Sequence, residues 1–308
     1  MGLKRKRQLN LPQLLWGGMS ENWLLKELGH IHWQQITKAL ETPSGEIRDK
    51  EGNRLYASFV RLMWEGTNLS KFNENEYLNF DSELSYYKDK MFFSETTGSG
   101  VSGQFKATLL SVFSTKNTTD NTDLKIGGMG QNLMEKGIKS HNNLPPFAKE
   151  YLITKSSSQL VVDLDKPVLF RTNYIVDPYE DINGVGLLYF ANYSKISDRL
   201  ERHFIQDNYI LVEDWQQIAG IVSRDIYYYG NANAGDELIY ELTKIKEEKG
   251  LLHLDCSLYR AADRQLIGRI YSVKELKNGK MPPLKKDRIK LNEDTLSLIH
   301  ISEPTRPY

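Results

Sequence analysis

Cysteine is almost missing: Cys256 is the only one in 308 residues. That excludes an internal disulfide framework and a multi-cysteine metal site, and it suits a reducing cytoplasm. Excess charge of either sign is also missing, since 40 Lys plus Arg balance 40 Asp plus Glu. Without a bulk positive field no nucleic-acid partner is expected. No apolar run reaches the roughly 18 residues a bilayer span needs, so no membrane partner is expected either. The basic start, Lys4-Arg5-Lys6-Arg7, is not followed by an apolar core and does not read as a signal peptide; it reads as a solvated tail. Apolar residues at 40% and charged residues at 26% are ordinary globular values. The length allows two domains of about 150 residues.

The last residues stand apart. Residues 296–306 read Leu-Ser-Leu-Ile-His-Ile-Ser-Glu-Pro-Thr-Arg, the translation of a common sequencing adapter. The stretch 296–308 is therefore expected to be an adapter scar, with no weight on His300 and with the true C-terminus missing.

Two halves repeat one order of elements. Ser20 is a good N-cap, with Glu21 at the positive end of the helix it opens. Leu24, Leu28 and Ile31 share one helical face. Gly29 is expected to break that helix, and Trp33, Ile36 and Leu40 suggest a second stretch. From 55 to 64 the period changes to two, which reads as a strand buried on both faces. Strand-like segments follow near 83–94 and 103–114. Residues 115–150, rich in Asn, Thr, Gly and Lys, read as a linker or surface excursion. In the second half Gly184 and Gly186 precede a helix-like stretch from 187 to about 204. Strand-like segments follow near 220–229, 238–246, 251–260 and 266–273. The echo of Asp81-Ser82-Glu83-Leu84 in Gly235-Asp236-Glu237-Leu238 supports the repeat. One long helix wrapped by an antiparallel sheet is the hot-dog arrangement, and two of them predict an α+β double hot-dog. The expected boundaries are 1–150 for the first unit with its linker, 151–295 for the second, and 296–308 for the tail.

The opening run Leu11-Pro12-Gln13-Leu14 through Gly17-Gly18-Met19-Ser20-Glu21-Asn22-Trp23-Leu24 to His32-Trp33 resembles a bacterial family associated with polyketide and nonribosomal-peptide biosynthesis. That family is similar to the leinamycin-type acyltransferase/decarboxylase, a double hot-dog enzyme. Arg54-Leu55-Tyr56-Ala57-Ser58-Phe59 resembles the strand carrying that enzyme's essential tyrosine. At His30 the chain departs from the family, whose members often have an acidic residue there. The resemblance implies decarboxylation of a methylmalonyl-type thioester and transfer of the acyl group to a carrier protein. Its partners would be acyl-CoA and an acyl carrier protein, with no cofactor and a homodimeric state. On that reading Tyr56 supplies a hydroxyl as donor, acid or acyl acceptor. Ser58 shares its strand face, and Asn22 is a candidate oxyanion donor.

The second half carries a different resemblance. Asp181-Ile182-Asn183-Gly184 through Tyr189-Phe190-Ala191-Asn192-Tyr193 looks like the helix entrance of hydroxybenzoyl-CoA-type thioesterases, where an acidic residue lies three positions before the glycine. It implies a thioesterase or dehydratase using Asp181, although the chain appears longer between Gly184 and Asn192. A third reading is a non-catalytic double hot-dog that binds an acyl carrier protein. His30 and His32, two apart, are poorly spaced for a helical metal pair, and no metal site is expected. Cys256, in a strand-like run, is expected to be a buried thiol.

Overall fold

A computed structural model describes residues 2–88, 90–116, 120–127, 138–157 and 161–285. The tail 296–308 lies outside the described residues, as do 117–119 and 128–137 of the expected linker.

The chain opens with strand β1 (Gly2–Gln8), a short hairpin of β2 (Leu14–Leu15) and β3 (Gly18–Met19), and helix α1 (Glu21–Leu40). The strands β4 (Leu55–Gly66), β5 (Tyr77–Tyr87), β6 (Met91–Ser99) and β7 (Gln104–Lys116) follow. Short β8 (Leu124–Ile126) and β9 (Lys139–Ser140) lead to α2 (Pro146–Ser157). The second half runs β10 (Phe170–Ile175), α3 (Asn192–Asn208), α4 (Trp215–Ile218), β11 (Ala219–Tyr228), β12 (Glu237–Glu248), β13 (Leu251–Arg260) and β14 (Leu266–Leu276).

One 12-stranded sheet holds the two halves together, in the order β1-β5-β6-β7-β4-β11-β14-β13-β12-β10, with β8 and β9 off that path. The order is palindromic: each half is strand, helix, then four antiparallel strands. This is the double hot-dog, and the α+β expectation holds. The halves join where β4 meets β11 antiparallel, over only five residue pairs from Arg61↔Tyr227 to Glu65↔Ser223. Each strand carries a bulge just before this ladder, between Phe59 and Arg61 in β4 and between Ile221 and Ser223 in β11. Matching the bulges makes Met63 and Asp225 both counterparts and ladder partners, so the approximate two-fold passes between them.

Helix α1 is continuous. Ser20 Oγ accepts from the amide of Trp23 at 3.2 Å, and Glu41 closes the far end in the left-handed region. The break expected at Gly29 does not occur. The glycine serves a close approach: a Cβ there would meet Phe190 Cζ at 2.5 Å. Phe190 is itself held against Phe59, with ring centroids 4.4 Å apart. Ala is the better helix former by about 1 kcal/mol, yet Gly29→Ala is expected to destabilise by about 1–3 kcal/mol through overpacking. Urea melts check this, and adding Phe190→Leu should recover most of the loss.

The second helix starts later than expected. Asn183 Oδ1 accepts from the amides of Val185 and Leu187, both at 3.0 Å, and folds the loop back on itself with Gly186 at φ 81°. Only at Asn192 does α3 begin. The basic start is likewise not a tail: β1 pairs along β5, and Arg5 and Arg7 both bond Glu27 on α1, at 2.9 and 2.8 Å. The segment expected as one strand near 83–94 is the β5–β6 hairpin. Helix α2 covers the outer face of the sheet, where Arg61 stacks on Phe147 and bonds both Glu150 and Asp225.

Apolar side chains of both helices share one core, including Leu24, Leu28, Tyr193, Ile196 and Leu200. Under α1 that core has a polar seam. The His32 ring nitrogens bond Ser94 Oγ at 2.7 Å and Ser111 Oγ at 2.8 Å, and Gln35 bonds Ser82. A neutral imidazole has one donor and one acceptor, and hydroxyls can serve either, so the seam is satisfied without charge. Burial pushes the His32 imidazole down from 6.5 to about 3. The unfolded chain therefore takes up a proton that the native state refuses, so stability falls as pH drops from 6.5 toward 3. At pH 4.5 this group alone should cost about 3 kcal/mol. Urea titrations at pH 7.5 and 4.5 should show that most of this loss disappears in His32→Gln.

Candidate active site

Beyond the short central ladder β4 and β11 part, and a cavity opens at each end. The two cavities are related by the approximate two-fold. The first lies beside the start of β11 and has a volume of about 710 Å³. The β2–β3 hairpin forms one wall, with Trp16 at the rim, and the start of α1 and the polar face of α3 form others. The second lies beside the start of β4, between α1, the loop before α3 and the end of β11, with a volume of about 500 Å³.

A charge cluster drawn from both halves backs the first cavity, and Glu21, Asp198 and Lys274 of it line the wall. Arg224, fully buried on β11, donates through Nε and Nη2 to the two Glu21 oxygens at 3.0 and 2.6 Å. It also reaches Asp198 on α3 at 2.8 Å and donates to Ser272 at 2.6 Å. Lys274 on β14 donates to Asp198 at 3.0 Å and to Glu201 at 2.7 Å. Two indoles complete the set: Trp64 donates to Glu21 at 2.8 Å and Trp215 to Glu201 at 2.6 Å. Three carboxylates thus share two cations.

Asp198 differs from its partners. Glu21 and Glu201 are buried, whereas Asp198 keeps about a third of its side chain exposed. Burial pushes its pKa up, but Arg224 and Lys274 outweigh this and hold the carboxyl below the usual carboxylate range. Burial opposes the charge on Lys274 as well, and there Asp198 and Glu201 win, so the ammonium stays protonated. Asp198 is therefore a fixed carboxylate open to the cavity. Glu21 and Asn22, in the first turn of α1, line the same cavity. First-turn amides have no partner within their helix and carry the positive end of its dipole. Along the cavity α3 also presents Lys195, Arg199, Arg202 and His203.

The residues singled out in the sequence are not brought together. Asn22 lines the first cavity, but its Nδ2 donates to Ala191 O and Asn192 Oδ1, both at 2.8 Å, bracing the start of α3 rather than offering a donor to a ligand. Ser58 lines the second cavity, where its hydroxyl and that of Ser114 are 2.5 Å apart. Tyr56 lines neither; its half-buried ring lies under the Arg54 guanidinium, 4.9 Å from the centroid. Asp181 also lines neither. It is fully buried, accepting from Tyr174 at 2.6 Å and the Asp177 amide at 3.0 Å, with Lys195 at 3.7 Å. Among the described residues no group of three or more His, Cys, Asp or Glu could hold a metal ion, and no helix is long and apolar enough to cross a membrane. Cys256 is buried against Ser197 at 3.0 Å, and burial pushes its thiol up to about 12.

No family model and no curated protein sequence matches the chain. Solved structures do. A protein assigned as an oleoyl thioesterase from Lactobacillus plantarum superposes with a TM-score of 0.65 at 10% identity, covering 90% of this chain and 96% of that one. An acyl-ACP thioesterase from Bacteroides thetaiotaomicron gives 0.58 at 14% identity, covering 89% and 98%. The 12:0-ACP thioesterase from Umbellularia californica gives 0.58 at 11%, covering 90% and 94%. At such identity the likeness shows a shared fold.

These findings correct the reading of the opening segment. These three similar structures are thioesterases, not the leinamycin-type acyltransferase/decarboxylase, and Tyr56 lies outside both cavities. Decarboxylation with transfer to a carrier is therefore withdrawn as the function. Nothing in the comparisons supports the adapter reading of 296–308. Sequence reasoning took Glu21 as a helix-end charge and missed Asp198, Glu201, Arg224 and Lys274. The one signal available was the spacing of Asp198 and Glu201, which puts both on one helical face.

Proposed function

We propose that this chain hydrolyses acyl thioesters in the first cavity, with Asp198 as the attacking carboxylate. The observation that carries the reading is Asp198 itself: ionised, partly exposed, and in one cavity with the N-terminus of α1. A carboxylate held anionic by two cations is a poor base, which favours a nucleophilic role. Its oxygen would attack the thioester carbonyl carbon while first-turn amides of α1 take the developing oxyanion. The C–S bond breaks, the thiolate leaves and takes a proton from solvent, and water cleaves the acyl-aspartate anhydride to restore the carboxylate. Arg199 and His203 on α3 suit the phosphates of CoA or of a carrier-bound pantetheine arm, beside Lys195 and Arg202, which already pair with Glu180 and Asp214. The fold shared with acyl-ACP thioesterases supports the same substrate class.

The test is release of free thiol and fatty acid from a panel of acyl-CoA and acyl-carrier thioesters. Hydrolysis of at least one is expected. Acyl transfer to a carrier without thioester hydrolysis, or binding without any turnover, would overturn the proposal, the latter in favour of a non-catalytic module.

A further inference from the structure

We infer that the second cavity is a ligand site in its own right, holding the uncharged acyl-pantetheine part of a thioester without cleaving it. The inference rests on the thioesterase reading for the identity of the ligand.

The two cavities share their construction but not their chemistry. In the first, α3 presents Asp198, Arg199 and Arg202. In the second, α1 presents Gly29, His30 and Trp33, and no Asp or Glu lines the cavity among the described residues. The strands diverge in the same way. Arg224 on β11 corresponds to Leu62 on β4, which is fully buried and apolar. Lys274 lies opposite Ile221 as Ser111 lies opposite Phe59, so the cation of one half is a serine in the other. Asp198, Arg224 and Lys274 thus each have a neutral counterpart in Gly29, Leu62 and Ser111.

What remains is suited to holding a neutral molecule. Phe59, Phe190, Leu188 and Ile267 give apolar walls for an acyl chain. Ser58 and Ser114 both line the cavity and bond each other. Only one of the two hydroxyl hydrogens is used in that bond, so the pair has a second to offer a ligand carbonyl. The buried cation there is already committed: Arg260 donates to both Asp263 oxygens, Nε at 3.0 Å, and to Asn231 O at 2.6 Å. An anionic ligand such as a free fatty acid would find that charge spent, with Lys155, exposed on α2, as the other Lys or Arg that lines the cavity among the described residues. The walls are also preformed, because Asn231 holds the loop before α3 through the Leu188 amide at 2.9 Å and the Leu188 carbonyl at 3.1 Å.

The experiment is photolabelling of the full chain with a non-hydrolysable acyl-pantetheine thioether carrying a diazirine on the acyl chain, followed by peptide mapping. Labels are expected in two places: on α3 around residues 199–206, and around residues 187–190 or 112–114. Excess unlabelled thioether should reduce the second set at least tenfold, and the free fatty acid should not. Ser58→Phe, which fills the second cavity, should remove the second set and keep the first. If that variant does not fold, the wild-type map and its competition decide alone. Labels confined to the first cavity, or equal competition by the fatty acid, would overturn the inference. Thiol release is scored separately: second-cavity labels without hydrolysis would sink the thioesterase reading and leave this site standing. Hydrolysis without second-cavity labels would do the reverse.

Discussion

Asp198→Asn is expected to lower thiol release on the order of 1,000-fold or more while the chain stays folded. The substitution keeps size and removes the charge. Arg224 retains Glu21, and Lys274 retains Glu201, so neither cation is left alone. The loss should fall on kcat rather than KM, because the carboxylate is needed at the reacting carbon and not for holding the acyl chain. Two comparisons make the result specific. Asp181→Asn should cost stability, about 1–3 kcal/mol for a disturbed buried acceptor, and leave kcat within a few-fold. Tyr56→Phe should change little in either measure. Full activity in Asp198→Asn with loss in Asp181→Asn would move the chemistry to the loop before α3.

The largest effect on stability is expected from Arg224→Met. This side chain is fully buried and neutralises two carboxylates from different halves of the molecule. Removing it leaves Glu21 buried with only the Trp64 indole and leaves Asp198 with Lys274. Breaking a buried pair from one side costs about 3–5 kcal/mol. Urea unfolding should show that loss, and the Glu21→Gln/Arg224→Met pair should lose less than the two single changes together, since the second change removes the stranded charge. Additive losses would mean that the two residues do not depend on each other.

The sequence made the architecture legible because its signals are local. Period two across 55–64 and the four strand-like runs after 219 fall on observed strands, and the repeated order of elements gave the double hot-dog. What it hid depends on partners far away in the chain. Gly29 reads as a helix break until Phe190 is known to lie against it. The basic start reads as a tail until Glu27 and β5 are placed beside it. The charge cluster joins positions 21, 198, 201, 224 and 274, and beyond the three-residue spacing of Asp198 and Glu201 nothing along the chain announces that they meet. Asp181 drew attention through its distance from Gly184, but the loop around it turns the carboxylate inward to Tyr174. Tyr56 was marked by the motif around it, and the strand carries it away from both cavities.

The pairing of Met63 with Asp225 across the approximate axis has a genetic consequence. In a homodimer built on one hot-dog, a residue on the axis faces its own copy, and every substitution arrives twice. A carboxylate there would confront a carboxylate, and a helpful arginine beside one cavity would be forced into the other. A single gene encoding both units is free of that rule. It can place Arg224 on one side and Leu62 on the other, or Lys274 against Ser111, and each cavity can then accumulate mutations under its own selection.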